Sequence, residues 1–448
     1  MTPESTTTAP MRAVWRNPRL RALFVGSLVS RLGSWMSTLV VTFLAFDETR
    51  SAFWAAVVAT AYAVPSALAS LPAGAVADRV SSRRLLFLAQ VGQLVTITAL
   101  GVGALTAGSL LPWLVVLGAV SGICSAFAYV AWQEVIHDVA TPEELITAVS
   151  TNSTLTNVAK FAGPPLGGLL FVQFGAAAVF FLDAGSFVPV LAVLAVVPVT
   201  RDRTGAARSP SSLPEALGVA RRHPGLRWIL LLAAVAGVLA APLAQLLAPL
   251  ARDLGHQGAH RLGLLMACIA VGSVAEVSLV SLTGRRVRIS DMVRVCYFVM
   301  CVVLLALGAE FVLVVVAVVL FVYGLVRTAS RSVLMSAVHI AAPERHRDHL
   351  IGVFGFVDTM VTFVAALGWG LTADAIGMSR TTVLAGGALL VLVTVFALRN
   401  KFASLDPPEM VATLPQHLHL IDWEPPAWRR GHLPDDAPAG REATRRPA

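Results

Sequence analysis

From about residue 21 to residue 398 the chain returns repeatedly to apolar runs of about 20 residues, the length a helix needs to cross a bilayer core. Breaking these runs at Gly, Pro and charge clusters gives six spans near 21–46, 53–76, 84–106, 112–136, 147–171 and 176–198. A second six fall near 227–250, 261–283, 292–308, 311–336, 348–373 and 379–398. Runs such as 311–326 have no polar face, so water is not their solvent. Composition agrees: the chain is 56% hydrophobic and 13% charged, with a mean hydropathy of +0.75, whereas soluble chains are about one-quarter charged. The expected fold class is an all-α polytopic membrane protein with twelve transmembrane helices.

The segment TRDRTGAARSPSSLPEALGVARRHPG divides the spans into two sets. The expected organisation is an N-terminal segment 1–20, a six-helix half 21–199, a linker 200–225, a second half 226–399 and a disordered tail 400–448. Arginines crowd one set of loops: Arg12, Arg16 and Arg19 before span 1, Arg79, Arg83 and Arg84 between spans 2 and 3, and Arg201 and Arg203 in the linker. The positive-inside bias therefore predicts cytoplasmic termini and linker, and the net charge of +8 is mostly this bias. The halves repeat one another: Gly122, His137, Gly168 and Gly175 correspond at a constant offset to Gly324, His339, Gly370 and Gly377. Paired six-helix halves are how secondary transporters build a central site that opens to alternate sides.

Other classes find little support. Cys124, Cys268, Cys296 and Cys301 lie in apolar runs without disulfide or zinc spacing, and neither a metal nor a cofactor is expected. The isolated intramembrane charges form no nucleophile–base set, so no enzyme is expected, and no basic folded module points to nucleic acid.

Two short stretches carry more. In LPAGAVADRVSSRR, Gly74 and Asp78 lie one helical turn apart, so the glycine would admit a neighbouring helix while the acid meets helix-terminal N–H groups or an arginine. In AGPPLGG, Pro164 removes a backbone donor, and Gly163, Gly167 and Gly168 permit tight packing at the bend. Gly74, Ala77, Asp78, Arg79, Arg83 and Arg84 resemble motif A of the major facilitator superfamily, with Ser81 and Ser82 standing where glycine and arginine are usual. AGPPLGG resembles that superfamily's motif C, associated with exporters. With SRLGSWMS and FFLDAGSF, the first half is similar to the drug:proton antiporter branch that includes macrolide-efflux and enterobactin-export proteins. This resemblance implies the major facilitator fold and proton-driven export of a small amphipathic molecule, such as a drug, siderophore or secondary metabolite. It implies a monomer in the bacterial inner membrane, with Gly74, Asp78, Arg79, Arg83 and Arg84 as a conformational latch. Proton-coupled uptake by the same fold is the alternative, and a non-transporting sensor a more distant one.

Ionisable groups at bilayer depth are costly and mark function. Arg31, Lys160, Glu276, Arg327 and Asp358 fall near mid-membrane, with mutual pairing as the competing explanation. In span 1, Ser27, Ser30, Arg31, Ser34, Ser37 and Thr38 recur at helical spacing, a stripe expected to face a central cavity. By the implied fold, spans 1, 4, 7 and 10 line that cavity. Arg31, Ser34, Gln133, Lys160 and Arg327 then become candidate substrate contacts, with aromatic surface from Tyr129, Trp132 and Tyr323. Asp358, then Glu276, are the expected proton carriers, since a buried carboxylate responds to solvent access and to nearby cations.

Overall fold

The structure, a computed structural model, describes residues 15–196, 218, 224–253, 258–283, 288–309, 312–342 and 347–398. The expected tail and nearly all of the linker lie outside these residues, as does most of the N-terminal segment. The described chain is helical, without strands. The first half comprises α1 (Pro18–Thr49), α2 (Ala52–Arg79), α3 (Ser82–Thr106), α4 (Leu111–Val139) and the 55-residue stretch Pro142–Val196. That stretch breaks at Gly175, whose φ of 78° leaves the helical region, into limbs α5 (142–174) and α6 (176–196). In the second half a broken α7 (Pro224–Leu239, a 3-10 turn Ala241–Ala244, then Leu247–Asp253) precedes α8 (Ala259–Thr283), α9 (Ile289–Ala306), α10 (Leu313–Ala341), α11 (Arg347–Ile376) and α12 (Met378–Leu398). Ten of the described helices are long and apolar enough to cross a membrane, counting α5 and α6 as one, and the first piece of α7 is a shorter apolar helix.

Local chemistry sets the boundaries. Asn17 caps α1, accepting from the N–H groups of Arg19 at 3.2 Å and Leu20 at 3.4 Å, with Pro18 at the first helical position. Ser51 caps α2 through the N–H of Trp54. Gly377, with φ of 91°, turns α11 into α12 as Gly175 turns α5 into α6. These glycines are one of the pairs that relate the halves in sequence.

The packing follows the same duplication. Within the halves, α2 packs on α4 as α8 does on α10, and α3 on α6 as α9 does on α12. Between them, α2 packs on α11 and α5 on α8. Gly168 of α5 lies against the backbone of Ala259, with 2.7 Å from its potential Cβ to the carbonyl oxygen. Its repeat partner Gly370 of α11 lies against Ala52 and Phe53 at the start of α2. Each glycine thus admits the first turn of a helix from the opposite half.

The face where α1 begins and α6 ends is called here the near face; α2 and α8 begin at the opposite, far face. One buried apolar cluster runs through both halves, joining Met36, Leu39, Phe46 and Ala55 to Leu243, Leu262 and Trp369. A second contains first-half residues alone, among them Leu20, Phe24, Leu86, Val135 and Leu194, all toward the near face. Among the described residues, the first half joins the shared core toward the far face, and its near-face cluster includes no second-half residue.

The single uninterrupted span expected at 227–250 is corrected: α7 breaks after Leu239. Pro242 has no N–H, so the Val238 carbonyl loses its helical donor. The Nε1 of Trp369 on α11 supplies one at 2.8 Å, and the Tyr323 hydroxyl on α10 donates to Ala240 O at 3.0 Å. Tyr323, expected to give the cavity aromatic surface, is instead buried as the seal of this break.

Candidate functional site

Between the halves lies a group of charges at mid-depth. On α1, the Arg31 guanidinium donates to the Thr156 hydroxyl and, at 2.9 Å, to Asn152 Oδ1, both on α5. It also stacks 5.6 Å from the Trp132 ring centre, and Trp132 Nε1 donates to the same Asn152 oxygen at 2.8 Å. Every one of these partners is neutral. One turn farther along both helices, Lys160 Nζ sits 5.4 Å over the Trp35 ring. Lys160 is exposed, and neither it nor Arg31 forms an ion pair among the described residues. Gln133 is half-buried on α4.

The second half answers with a pair that shares one acid. Asp358 on α11 accepts from Arg327 at 2.8 Å through one carboxylate oxygen and from Arg331 at 3.0 Å through the other. Arg327 and Arg331 are four residues apart on α10, so both reach the same partner. The side chains of Asp358 and Arg327 are 10% and 15% exposed, whereas Arg331 is 47% exposed. Pairing, the competing explanation for these charges, holds for Asp358 and fails for Arg31 and Lys160. Glu276, the second expected proton carrier, is buried on α8, inside the second half.

The span-1 stripe does not present one continuous face to a cavity. Ser27, Ser30 and Ser37 are buried, while Arg31 and Ser34 are half-buried and Thr38 exposed. The cause is Gly33, which lets α6 come so close that an added Cβ would lie 2.5 Å from Ser186 Oγ and 2.6 Å from Asp183 Oδ1. Ser34 therefore points one hydrogen bond at Asp183, at 3.5 Å, and Ser186 donates to the same oxygen at 3.3 Å. Asp183 is a buried acid with no cationic partner among the described residues.

Of the latch residues, the Asp78 side chain lies outside the described residues, and Arg79 and Arg84 are exposed near the near face. Arg83 donates to the last carbonyls of α6, Leu194 at 2.5 Å and Ala195 at 2.6 Å. Among the described residues, nothing lies within 4 Å of the potential Cβ of Gly74. In the export-type stretch, Gly163 packs on Trp35 and Leu32, and Gly167 on Met36, with α5 continuous through Pro164 and Pro165. The carbonyl of Pro164 also meets Gly263 of α8.

A residue that sequence reasoning missed closes the far face. Asp374, near the end of α11, accepts from the Ser51 hydroxyl at 2.5 Å and from the N–H groups of Ala52 at 2.6 Å and Phe53 at 3.3 Å. An acid from one half thus caps the N-terminus of a helix in the other, where the helix dipole favours negative charge. Thr60 to the Phe363 carbonyl, at 3.1 Å, and Arg252 over the Phe46 ring, at 5.7 Å, add two more links between halves. In sequence, Asp374 is an acid at the end of an apolar span, with nothing to name a partner more than 300 residues away.

Residues 5–431 match the family described as transmembrane secretion effector, of the major facilitator superfamily. The chain is 26% identical over 419 residues to the MFS-type transporter YfiS of Bacillus subtilis, covering 88% of this chain and 96% of the relative. It is 25% identical to the multidrug efflux pump Tap of Mycolicibacterium fortuitum over 407 residues, covering 87% and 98%. Among solved structures, a bacterial homologue of the human lysosomal transporter Spinster, inward-facing and unoccupied, superposes with a TM-score of 0.68 at 14% identity, covering 87% of this chain and 97% of that one. The nucleoside transporter NupG gives 0.69 at 10% identity, covering 85% and 98%. The fold is that of these transporters, and the chain is a multi-pass membrane transporter, not an enzyme, belonging to the transmembrane secretion effector family of the major facilitator superfamily.

Proposed function

We propose that the protein exports a small amphipathic molecule across a bacterial cytoplasmic membrane by proton antiport, as a monomer, with residues 21–199 and 226–399 moving as the two bodies. The observation that carries this reading is the one-sided closure among the described residues: the halves share core and hydrogen bonds at the far face, whereas the near-face cluster of the first half includes no second-half residue. The arginine bias assigns the near face to the cytoplasm. In this reading the halves open inward, the state in which an exporter takes up its cargo. In the opposite state the Asp374 cap is broken, and Asp78 with Arg79 closes the near face. Asp358 is the proton-exchange point of this reading, because a change in the spacing of α10 and α11 uncovers a carboxylate otherwise held by two guanidiniums. Efflux as the direction is supported by AGPPLGG and by the relative Tap.

Inside-out vesicles with an acidic lumen test the direction. Amphipathic fluorescent dyes should accumulate inside while the lumen becomes more alkaline, and both changes should vanish in vesicles lacking the protein. Dye leaving a preloaded lumen together with protons would establish uptake and contradict export.

A further inference from the structure

At the far face a cavity of about 190 Å³ lies between the halves, walled by Phe43, Phe46, Asp47 and Arg50 of α1, by Arg252 on the last piece of α7 and by Leu262 of α8. Its floor is apolar and fixed: Phe46 and Leu262 are buried, and the Phe43 ring meets that of Phe171 edge-on with 5.3 Å between centres. Its exposed rim carries two arginines against one acid. Asp47 is taken by Arg50 Nη2 at 2.9 Å, whereas Arg252 lies 5.7 Å over the Phe46 ring and forms no ion pair among the described residues. Arg50 is also the one non-glycine residue among those described with a positive φ, 53°, in the left-handed region that glycine enters without steric cost. An arginine at that position sets a second guanidinium at the rim, with only one of its nitrogens engaged by Asp47.

We infer that this cavity binds a small aromatic acid, a carboxylate or sulfonate on a single ring, and that its occupant holds the far face closed. The ring has the apolar floor, and the acid has Arg252 together with the remaining donors of Arg50. A guanidinium offers paired donors to such an oxyanion. The volume admits one ring with its acid and excludes a drug-sized molecule. Because the walls come from opposite halves, the site is complete only while the halves meet there, and a ligand that binds one of two states shifts the population toward it. The inference rests on the alternating-access reading above, in which the near face is cytoplasmic. The ligand then arrives from outside and slows export by retaining the far-closed state.

The probes are benzenesulfonate and the neutral benzenesulfonamide, which differ little in shape. Binding of each, isotopically labelled, is measured by equilibrium dialysis against the purified full chain, with protein-free micelles subtracted. The wild type should bind the sulfonate at least about tenfold more tightly. Arg252→Gln should remove most of that preference and leave the sulfonamide unaffected, a control that the fold persists. Arg380→Gln, which removes an exposed charge at the same face but outside the cavity, should change neither. Equal binding of the two probes by the wild type, or a preference that survives Arg252→Gln or is lost in Arg380→Gln, overturns the inference. In inside-out vesicles the far face lines the lumen, and benzenesulfonate enclosed there should slow dye accumulation by the wild type and not by Arg252→Gln. Unslowed accumulation by the wild type overturns the hold on the far face. Absence of accumulation with and without the probe removes the transport reading, and the dialysis result then decides the site by itself.

Discussion

Arg83 and Asp374 show how a charge near a membrane surface is used: both attend to the end of a helix. Arg83 holds the last carbonyls of α6, and Asp374 the first N–H groups of α2. Helix ends leave such groups unpaired and carry partial charge of the matching sign. Arg83→Ala should therefore lower the thermal stability of the purified protein by about 1–2 kcal/mol, reduced by partial solvent screening. Arg84→Ala, at an exposed neighbour, should change it little; equal effects would deny Arg83 its capping role. Residue types were legible in the sequence here, but partners were not. Asp183 is an acid within an apolar run, and the approach of α6 at Gly33 is what brings it to Ser34. Asp358 was singled out for its depth, and its two arginines became visible only when α10 and α11 were seen side by side.

At the scale of elements, the spans were read within a few residues because hydrophobic length is a local property. The break in α7 was not, although Pro242 announced a missing donor, because a transmembrane helix tolerates proline when neighbours repair the backbone. Trp369 and Tyr323 make that repair across 131 and 83 residues of sequence. Trp369→Phe and Tyr323→Phe should each cost about 1–3 kcal/mol by leaving a buried carbonyl unsatisfied. Restoring the missing donor with Pro242→Ala should recover part of the loss from Trp369→Phe and little of that from Tyr323→Phe. Thermal unfolding of the four variants checks this, and identical rescue of both would contradict the assignment of the Val238 carbonyl to Trp369.

For the whole molecule, the repeat is both the most legible feature and the basis of the mechanism. Glycines matched by sequence offset occupy matched places: Gly175 and Gly377 turn the chain, and Gly168 and Gly370 admit helices from the opposite half. The symmetry is broken where function is proposed. Asp374 caps α2, whereas the corresponding position on α5 is Val172; among the described residues Arg31 and Lys160 of the first half form no ion pair, while Arg327 and Arg331 of the second share one acid. No periodicity in the sequence encodes those differences, since each depends on which faces meet.

Alternating access between a far-closed and a near-closed state is the central claim, and the Asp374 cap is its most exposed element. Spin labels at Trp113 and Val315 report the far face, and labels at Asp138 and Ile340 the near face, in a background with the native cysteines replaced. Pulsed dipolar distances should show Asp374→Asn lengthening the far-face pair and shortening the near-face pair together. A far-face pair that stays fixed, or lengthens while the near-face pair does not shorten, would contradict the account.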